Sequence, residues 1–392
     1  MTSPATQPTP GEPGPAAEPV TAAQVPPTVT GSAGASEPAA APDAAGLPAP
    51  AAGPAQAGAA QAGAVLSATG VAVQFAGRRR GKGAARAVDG VNLDIAAGEI
   101  VALVGESGCG KTTLARTMLG LERPTEGQVR YRGEPLSYRN SALREYRRAA
   151  QLILQDPTGS LNPRHTVYEA VAEGVRIHGL DNEESRVAAA LSRCGLRPPE
   201  RFFQRYPHEL SGGQRQRVVI AGALVLDPQV LIADEPVASL DASVRGEILA
   251  LLLRLRDELG LAALVVTHDL GLAWNIADRL AVMYLGRIVE VGTPEQVFAS
   301  PGHPYTRALM SVLPESKVDP IVLTGEPPDP TRIPAGCRFH PRCPELASGA
   351  AEQAGVAGDC RRTALPVLPA AGAGPDPLVS CHLAGQLAGR AS

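Results

Sequence analysis

The stretch "GESGCGKTT", Gly105 to Thr113, decides the fold. It has the pattern G-x-x-x-x-G-K-[ST] and follows the apolar run "IVALV" (100–104), which reads as a strand buried on both faces of a sheet. A helix is expected to begin at Lys111. In that context glycines let the backbone curl until successive N–H groups point at phosphate oxygens, and the helix adds the positive end of its dipole. Gly105, Glu106, Ser107, Gly108, Cys109, Gly110, Lys111, Thr112 and Thr113 are therefore the expected phosphate-loop residues. Lys111 would put its charge on the outer phosphates, and the Thr112 hydroxyl would ligate Mg2+. Cys109 reads as a small loop residue and not as a catalytic thiol.

Downstream, "VLIADEP" (230–236) supplies a second strand ending in two carboxylates. Behind a phosphate loop, Asp234 reads as a Mg2+ holder and Glu235 as the base for an attacking water. A third apolar run, "AALVVTH" (262–268), follows a stretch with Val244, Ile248, Leu251, Leu252, Leu255 and Leu259 at helical spacing. Strands alternating with helices predict an α/β sheet that binds ligand at its strand ends. Upstream, "VAVQF" (71–75) and "VNLDI" (91–95) read as further strands. The basic stretch "RRRGKGAAR" (78–86) between them reads as a solvated hairpin turn.

Composition excludes several classes. The 392 residues carry a net charge of −3, which gives no reason to expect nucleic acid as a partner. No apolar run approaches the roughly 20 residues of a membrane span, and no basic-then-apolar leader opens the chain, so a cytosolic setting is expected. Residues 1–64 are almost wholly Ala, Pro, Gly, Thr, Gln and Ser, with no Lys or Arg and only Glu12, Glu18, Glu37 and Asp43 as acids. Such a composition offers too little apolar surface to offset the entropy of ordering, and a disordered arm is expected there.

The chain resembles the ATP-binding subunits of ABC transporters over about residues 65–314. "LSGGQ" (210–214) looks like the family signature, "SLD" (239–241) like its D-loop, and "VVTHD" (265–269) like the segment carrying its switch histidine. The resemblance implies a P-loop ATPase fold with a mainly parallel core sheet, an antiparallel β subdomain and a helical subdomain over about 156–220. It implies ATP and Mg2+ as ligands, with Phe75 on the adenine and Gln155 contacting Mg2+ and the attacking water. Glu235, His268 and Gln155 are then the catalytic set, and Thr112, Gln155 and Asp234 hold the Mg2+. Ser211, Gly212, Gly213 and Gln214 would act on ATP held by a second subunit, with Asp241 in the D-loop. Taken singly, His268 could be structural, Gln155 an ordinary loop residue and Ser211 a helix cap. Lys111, Asp234, Glu235 and His268 are all present, so a hydrolysis-competent half-site is expected. The one departure is Thr112 for the more usual Ser, which keeps the hydroxyl.

A narrower resemblance rests on "QDPTGSLNPR" (155–164), "RYPHELSGGQRQR" (205–217), "VMYLGRIVE" (282–290), "HPYTRAL" (303–309) and "GCRFHPRCP" (336–344). Together they look like the oligopeptide, dipeptide and nickel importer branch, and lean toward the second of its two paired ATPases. That implies a heterodimer with a sister ATPase on two permease subunits at the cytoplasmic face of the membrane, fed by an extracytoplasmic binding protein. An exporter ATPase is the alternative. A soluble ABC ATPase acting in DNA repair or translation is a second, set aside because this chain has one phosphate loop and no heptad run.

Residues 315–392 form an expected C-terminal extension containing Cys337, Cys343, Cys360 and Cys381, spaced x5, x16 and x20. Disulfides are disfavoured in the cytosol, so four thiols there favour zinc or an iron–sulfur cluster. Ordinary packing with no metal is the third reading, and the resemblance tips the choice, because several peptide-importer ATPases hold a [4Fe–4S] cluster in this tail. His340 and His382 are spare ligands. Cys194 reads as a small buried side chain.

Overall fold

The computed structural model describes residues 63–76, 83–313, 316, 318–369 and 377–384. The arm expected over 1–64 lies almost entirely outside them, as do residues 78–82 of the basic turn. In chain order the strands and helices run β1 Leu66–Phe75, β2 Ala85–Ile95, β3 Ile100–Val104, α1 Lys111–Met118, β4 Glu126–Tyr131, β5 Glu134–Pro135, α2 Asn140–Ala149, β6 Ala150–Ile153, α3 Pro157–Ser160, α4 Val167–His178, α5 Glu183–Arg193, α6 Glu200–Phe203, α7 Gly212–Leu224, β7 Val230–Asp234, α8 Ala242–Leu259, β8 Ala262–Thr267, α9 Leu270–Ile276, β9 Arg279–Tyr284, β10 Arg287–Gly292, α10 Pro294–Ala299 and α11 Pro304–Ser311. The extension adds α12 Pro344–Ala347, α13 Ala350–Gln353, α14 Ala357–Arg362 and β11 Leu378–Val379.

β3 organises the molecule. All five of its residues are buried, and alternation along the strand sends successive residues to opposite faces. Val101 and Leu103 pack with α1 and the antiparallel layer, whereas Ala102 and Val104 pack with α9, Tyr284 and Tyr305. The large sheet has the order β11-β10-β9-β3-β8-β7-β6. Its β9-β3-β8-β7-β6 portion is parallel, and β10 and β11 add antiparallel strands at one edge. A second sheet, β2-β1-β4-β5, is antiparallel and covers one face of this core. The α/β class, the mainly parallel core and the antiparallel layer are as expected.

Between β6 and β7 the chain is helical, with α4, α5 and α7 packed around Val171, Val175, Val187, Leu191, Val218 and Ile220. Local chemistry sets where these helices begin. Thr166 and Glu169 form a reciprocal capping box at the start of α4, and Ser211 and Gln214 form another at α7. α8 differs from its sequence reading at its ends. Ile248, Leu251, Leu252 and Leu255 are buried as its periodicity predicts. Val244 is only partly covered and Leu259, in the last turn, stands exposed.

Candidate functional site

Register within the parallel sheet brings the expected residues together. Val104 at the end of β3 is opposite Thr267 of β8 and Val282 of β9, and Asp234 at the end of β7 is opposite Val266. The carboxyl ends of β3, β7 and β8 therefore open on one edge, where the phosphate loop, the two carboxylates and His268 all emerge.

The loop follows the close-approach rule for glycine. Gly105 has φ +151° and Gly110 φ +112°, and a Cβ at either would lie 2.2 Å from the Met283 carbonyl oxygen or 2.1 Å from that of Ala87. Ser107 and Gly108 form the exposed tip. The Lys111 ammonium lies inside, donating to the Gly105 and Glu106 carbonyls at 2.8 and 2.9 Å, and its side chain is buried. Burial raises the Cys109 thiol above its ordinary range despite the nearby Lys111, which suits a packing residue and not a nucleophile.

The Thr112 hydroxyl hydrogen-bonds Asp234, whose carboxyl is raised above its usual range chiefly by burial. A bound divalent cation would reverse that effect, and the hydroxyl beside the carboxylate is the oxygen-donor pair such a cation prefers. Glu235 follows with φ +52° and donates its N–H to the Val266 carbonyl at 2.8 Å. That left-handed backbone turns its carboxylate toward β8, where Glu235 Oε1 meets His268 Nδ1. Val237, Ala238, Arg245 and Asp269 complete a small pocket around this pair.

Other expected residues stand apart from this group. Gln155 is exposed in the bend after β6. Phe75 is 43% exposed at the end of β1. Ser211 caps α7 by accepting the Gln214 N–H at 3.2 Å, so its structural reading holds as well. Gly212 and Gly213 lie against the segment after β7. A Cβ on Gly212 would lie 3.6 Å from Leu240, and one on Gly213 would lie 2.7 Å from Val244. Asp241 is exposed at the start of α8. Arg245, which pattern reading missed, donates to the Leu240 carbonyl at 2.7 Å and pins this same segment.

In the extension, Cys337, Cys343, Cys360 and Cys381 line a single pocket together with His340 and His382. Cys337 donates its N–H to the Cys360 carbonyl at 2.9 Å, tying the main chain at the first cysteine to that at the third. Burial pushes the Cys337 thiol up to about 11 and Cys381 up to about 12, with smaller contributions from the neighbouring cysteines. Both histidines contact backbone carbonyls, His340 that of Cys337 and His382 that of Thr363. Among the described residues no group of three or more His, Cys, Asp or Glu is arranged to hold a single metal ion. The four cysteines share one pocket, but their arrangement by itself supports neither the zinc nor the [4Fe–4S] cluster expected from the sequence.

Residues 88–238 match the model of the ABC transporter family, and residues 289–348 match that of the oligopeptide/dipeptide transporter C-terminal region. The dipeptide transport ATP-binding protein DppF of Haemophilus influenzae is 44% identical over 266 residues, which cover 66% of this chain and 81% of that protein. DppF of Escherichia coli is 46% identical, covering 66% and 79%. The oligopeptide transport ATP-binding protein AppF of Bacillus subtilis is 43% identical, covering 68% and 84%. Among solved structures, CbiO1 of Clostridium perfringens, part of the ABC transporter complex CbiONQ, is 33% identical with a TM-score of 0.55, covering 60% of this chain and 91% of that one. The ATP-binding cassette MJ0796, solved as a dimer bound to ADP and Pi, is 30% identical with a TM-score of 0.51, covering 58% and 98%. Among the described residues no helix is long and apolar enough to cross a membrane.

Proposed function

The chain belongs to the ATP-binding subunits of ABC transporters, in the oligopeptide and dipeptide importer branch, and from that premise we propose that it hydrolyses ATP to power uptake of peptides or related solutes through membrane permease subunits. The observation that carries this is the convergence of Lys111, Thr112, Asp234, Glu235 and His268 on one edge of the parallel sheet.

Each residue has a role in that reading. The phosphate loop and Lys111 bind the phosphates, with Phe75 against the adenine. Thr112 and Asp234, joined by Gln155, hold the Mg2+, which screens the phosphate charge. Glu235 takes a proton from the attacking water, and His268, in contact with it, orients the base and meets the γ-phosphate. Ser211 to Gln214 serve the nucleotide of a sister ATPase, which is why the signature helix can be capped within its own chain and still present N–H groups outward. The complex sits at the cytoplasmic face through two permeases and receives solute from an extracytoplasmic binding protein. Cys337, Cys343, Cys360 and Cys381 hold a [4Fe–4S] cluster that staples a Pro/Gly-rich tail with little core of its own.

The test is reconstitution with the permeases and sister ATPase in lipid. ATP hydrolysis should rise several-fold with a peptide-loaded binding protein and stay flat with an unloaded one. Stimulation only by an outward-moving solute presented from the cytoplasmic side would move the chain to the exporter class.

A further inference from the structure

The phosphate loop contains an acid, Glu106, whose charge opposes that of the phosphates it would face. Among the described residues of the ATPase core, none forms an ion pair with it. The extension does: Arg342 Nη1 and Nη2 donate to Glu106 Oε2 and Oε1 at 2.9 and 3.2 Å, a two-pronged contact across 236 residues of sequence. Arg342 is only 9% exposed, so this contact is made largely out of water.

A second set of contacts fixes the same segment. The Glu106 N–H donates to the Tyr305 hydroxyl at 2.8 Å. Phe339 packs on the Tyr284–Tyr305 pair, with ring centroids 5.2 and 5.5 Å away. Arg338 donates to the Leu285 carbonyl at 2.5 Å and pairs with Asp89. Gly286, next in the chain, donates its N–H to the Cys109 carbonyl at 2.8 Å. Both ends of the phosphate loop are thus held, directly or through one turn, by the arginines of "CRFHPRC" (337–343).

We propose that Arg342 is a positioning residue for nucleotide binding: it neutralises Glu106 and draws its carboxylate away from the phosphates, so that the loop accepts ATP only while the Cys337–Cys343 segment is in place. The proposal rests on the ATPase reading above. It makes the cysteine pocket, one residue from Arg342, a structural input to ATP affinity.

Equilibrium binding of Mg-ATP to the full chain tests it. Arg342→Met leaves Glu106 unpaired beside the phosphates and should weaken binding about tenfold, since hydrogen bonds between charged groups carry effects of that order. Glu106→Gln removes the offending charge and, although it alters the loop itself, should bind Mg-ATP clearly more tightly than Arg342→Met. The double variant should recover to the level of Glu106→Gln, and Arg342→Lys should fall between the wild type and Arg342→Met. In the assembled transporter Arg342→Met should raise the KM for ATP about tenfold and change kcat less than twofold, because Glu235 is untouched. A folded Arg342→Met chain binding within twofold of the wild type would overturn the proposal. A double variant as weak as Arg342→Met would overturn it too, showing only tail disruption. Should Arg342→Met fail to fold, Arg342→Lys with and without Glu106→Gln decides by the same criterion. A wild-type chain that binds no Mg-ATP would instead remove the ATPase reading itself.

Discussion

Glu235 Oε1 lies 2.6 Å from His268 Nδ1, joining the carboxylate after β7 to the imidazole after β8. The pair is asymmetric, with a Glu235 side chain 15% exposed and a His268 side chain 66% exposed. The glutamate is the enclosed member of the pair and the histidine the solvent-facing one. Glu235→Gln keeps the shape and loses the base. With the sister ATPase's own base already removed, hydrolysis should fall about 100- to 10,000-fold while Mg-ATP binding stays near wild type. Near-normal turnover under those conditions would take the role of base away from Glu235.

Gly110 and Gly108 offer an internal comparison. Both have left-handed backbone, at φ +112° and +78°, but an added Cβ meets the Ala87 carbonyl at Gly110 and nothing within 4 Å at Gly108. Gly108→Ala should cost about 1–2 kcal/mol of backbone strain and leave a folded protein. Gly110→Ala adds a clash with β2 and should lower the melting temperature further and abolish ATP binding. Equal effects of the two substitutions, read by thermal melts and nucleotide titration, would mean that the approach of β2 does not constrain the loop.

The signature helix touches α8 through Gly213 and Val244. Gly213→Ala places a methyl 2.7 Å from the stiff Val244 side chain. The expected result is a loss of about 1–3 kcal/mol in stability, as for overpacking generally. Val244→Ala should restore room, giving a favourable coupling of about 1 kcal/mol in a double-mutant cycle. Additive effects in urea melts would show that the two helices are not in direct register.

The tail predicts a colour. Protein purified without oxygen should be brown, with broad absorption near 400 nm and about four irons per chain. Cys337→Ser or Cys343→Ser should bleach it and expose the extension to protease. Cys194→Ser should not, because that thiol is fully buried at the end of α5 and is pushed up to about 12. Colourless protein carrying one zinc, or no metal with an intact tail, would reject the cluster.

What the sequence disclosed was whatever depended on neighbours in the chain. The phosphate loop, β3, β7, β8 and the start of α1 all follow from short apolar runs and glycine spacing, and all stand where those patterns put them. Helix ends were harder. Leu259 obeys the α8 period yet faces solvent, because a helical period says which side of a helix is apolar and not where the packing against it stops. Arg342, Arg338 and Tyr305 were beyond reach. Their partners Glu106, Asp89 and the Glu106 N–H are roughly 200 or more residues away, and no local period or spacing encodes such a pairing. An arginine between two cysteines is a visible oddity, but only the folded chain says which acid it answers.

Leu378 and Val379 of β11 pair with Val291 and Glu290 of β10, and Ser380 donates to the Val289 carbonyl at 2.8 Å. This two-residue strand lies at the margin of the seven-stranded sheet, beside a strand whose other side is already taken by β9. A chain released by premature termination near residue 369 would expose unpaired backbone along β10, next to Val289 and Val291, which are otherwise buried. Open sheet margins of that kind recruit one another. Truncated copies should therefore precipitate in proportion to concentration even when their nucleotide site is intact, so the two-residue β11 acts as a cover for the margin of β10.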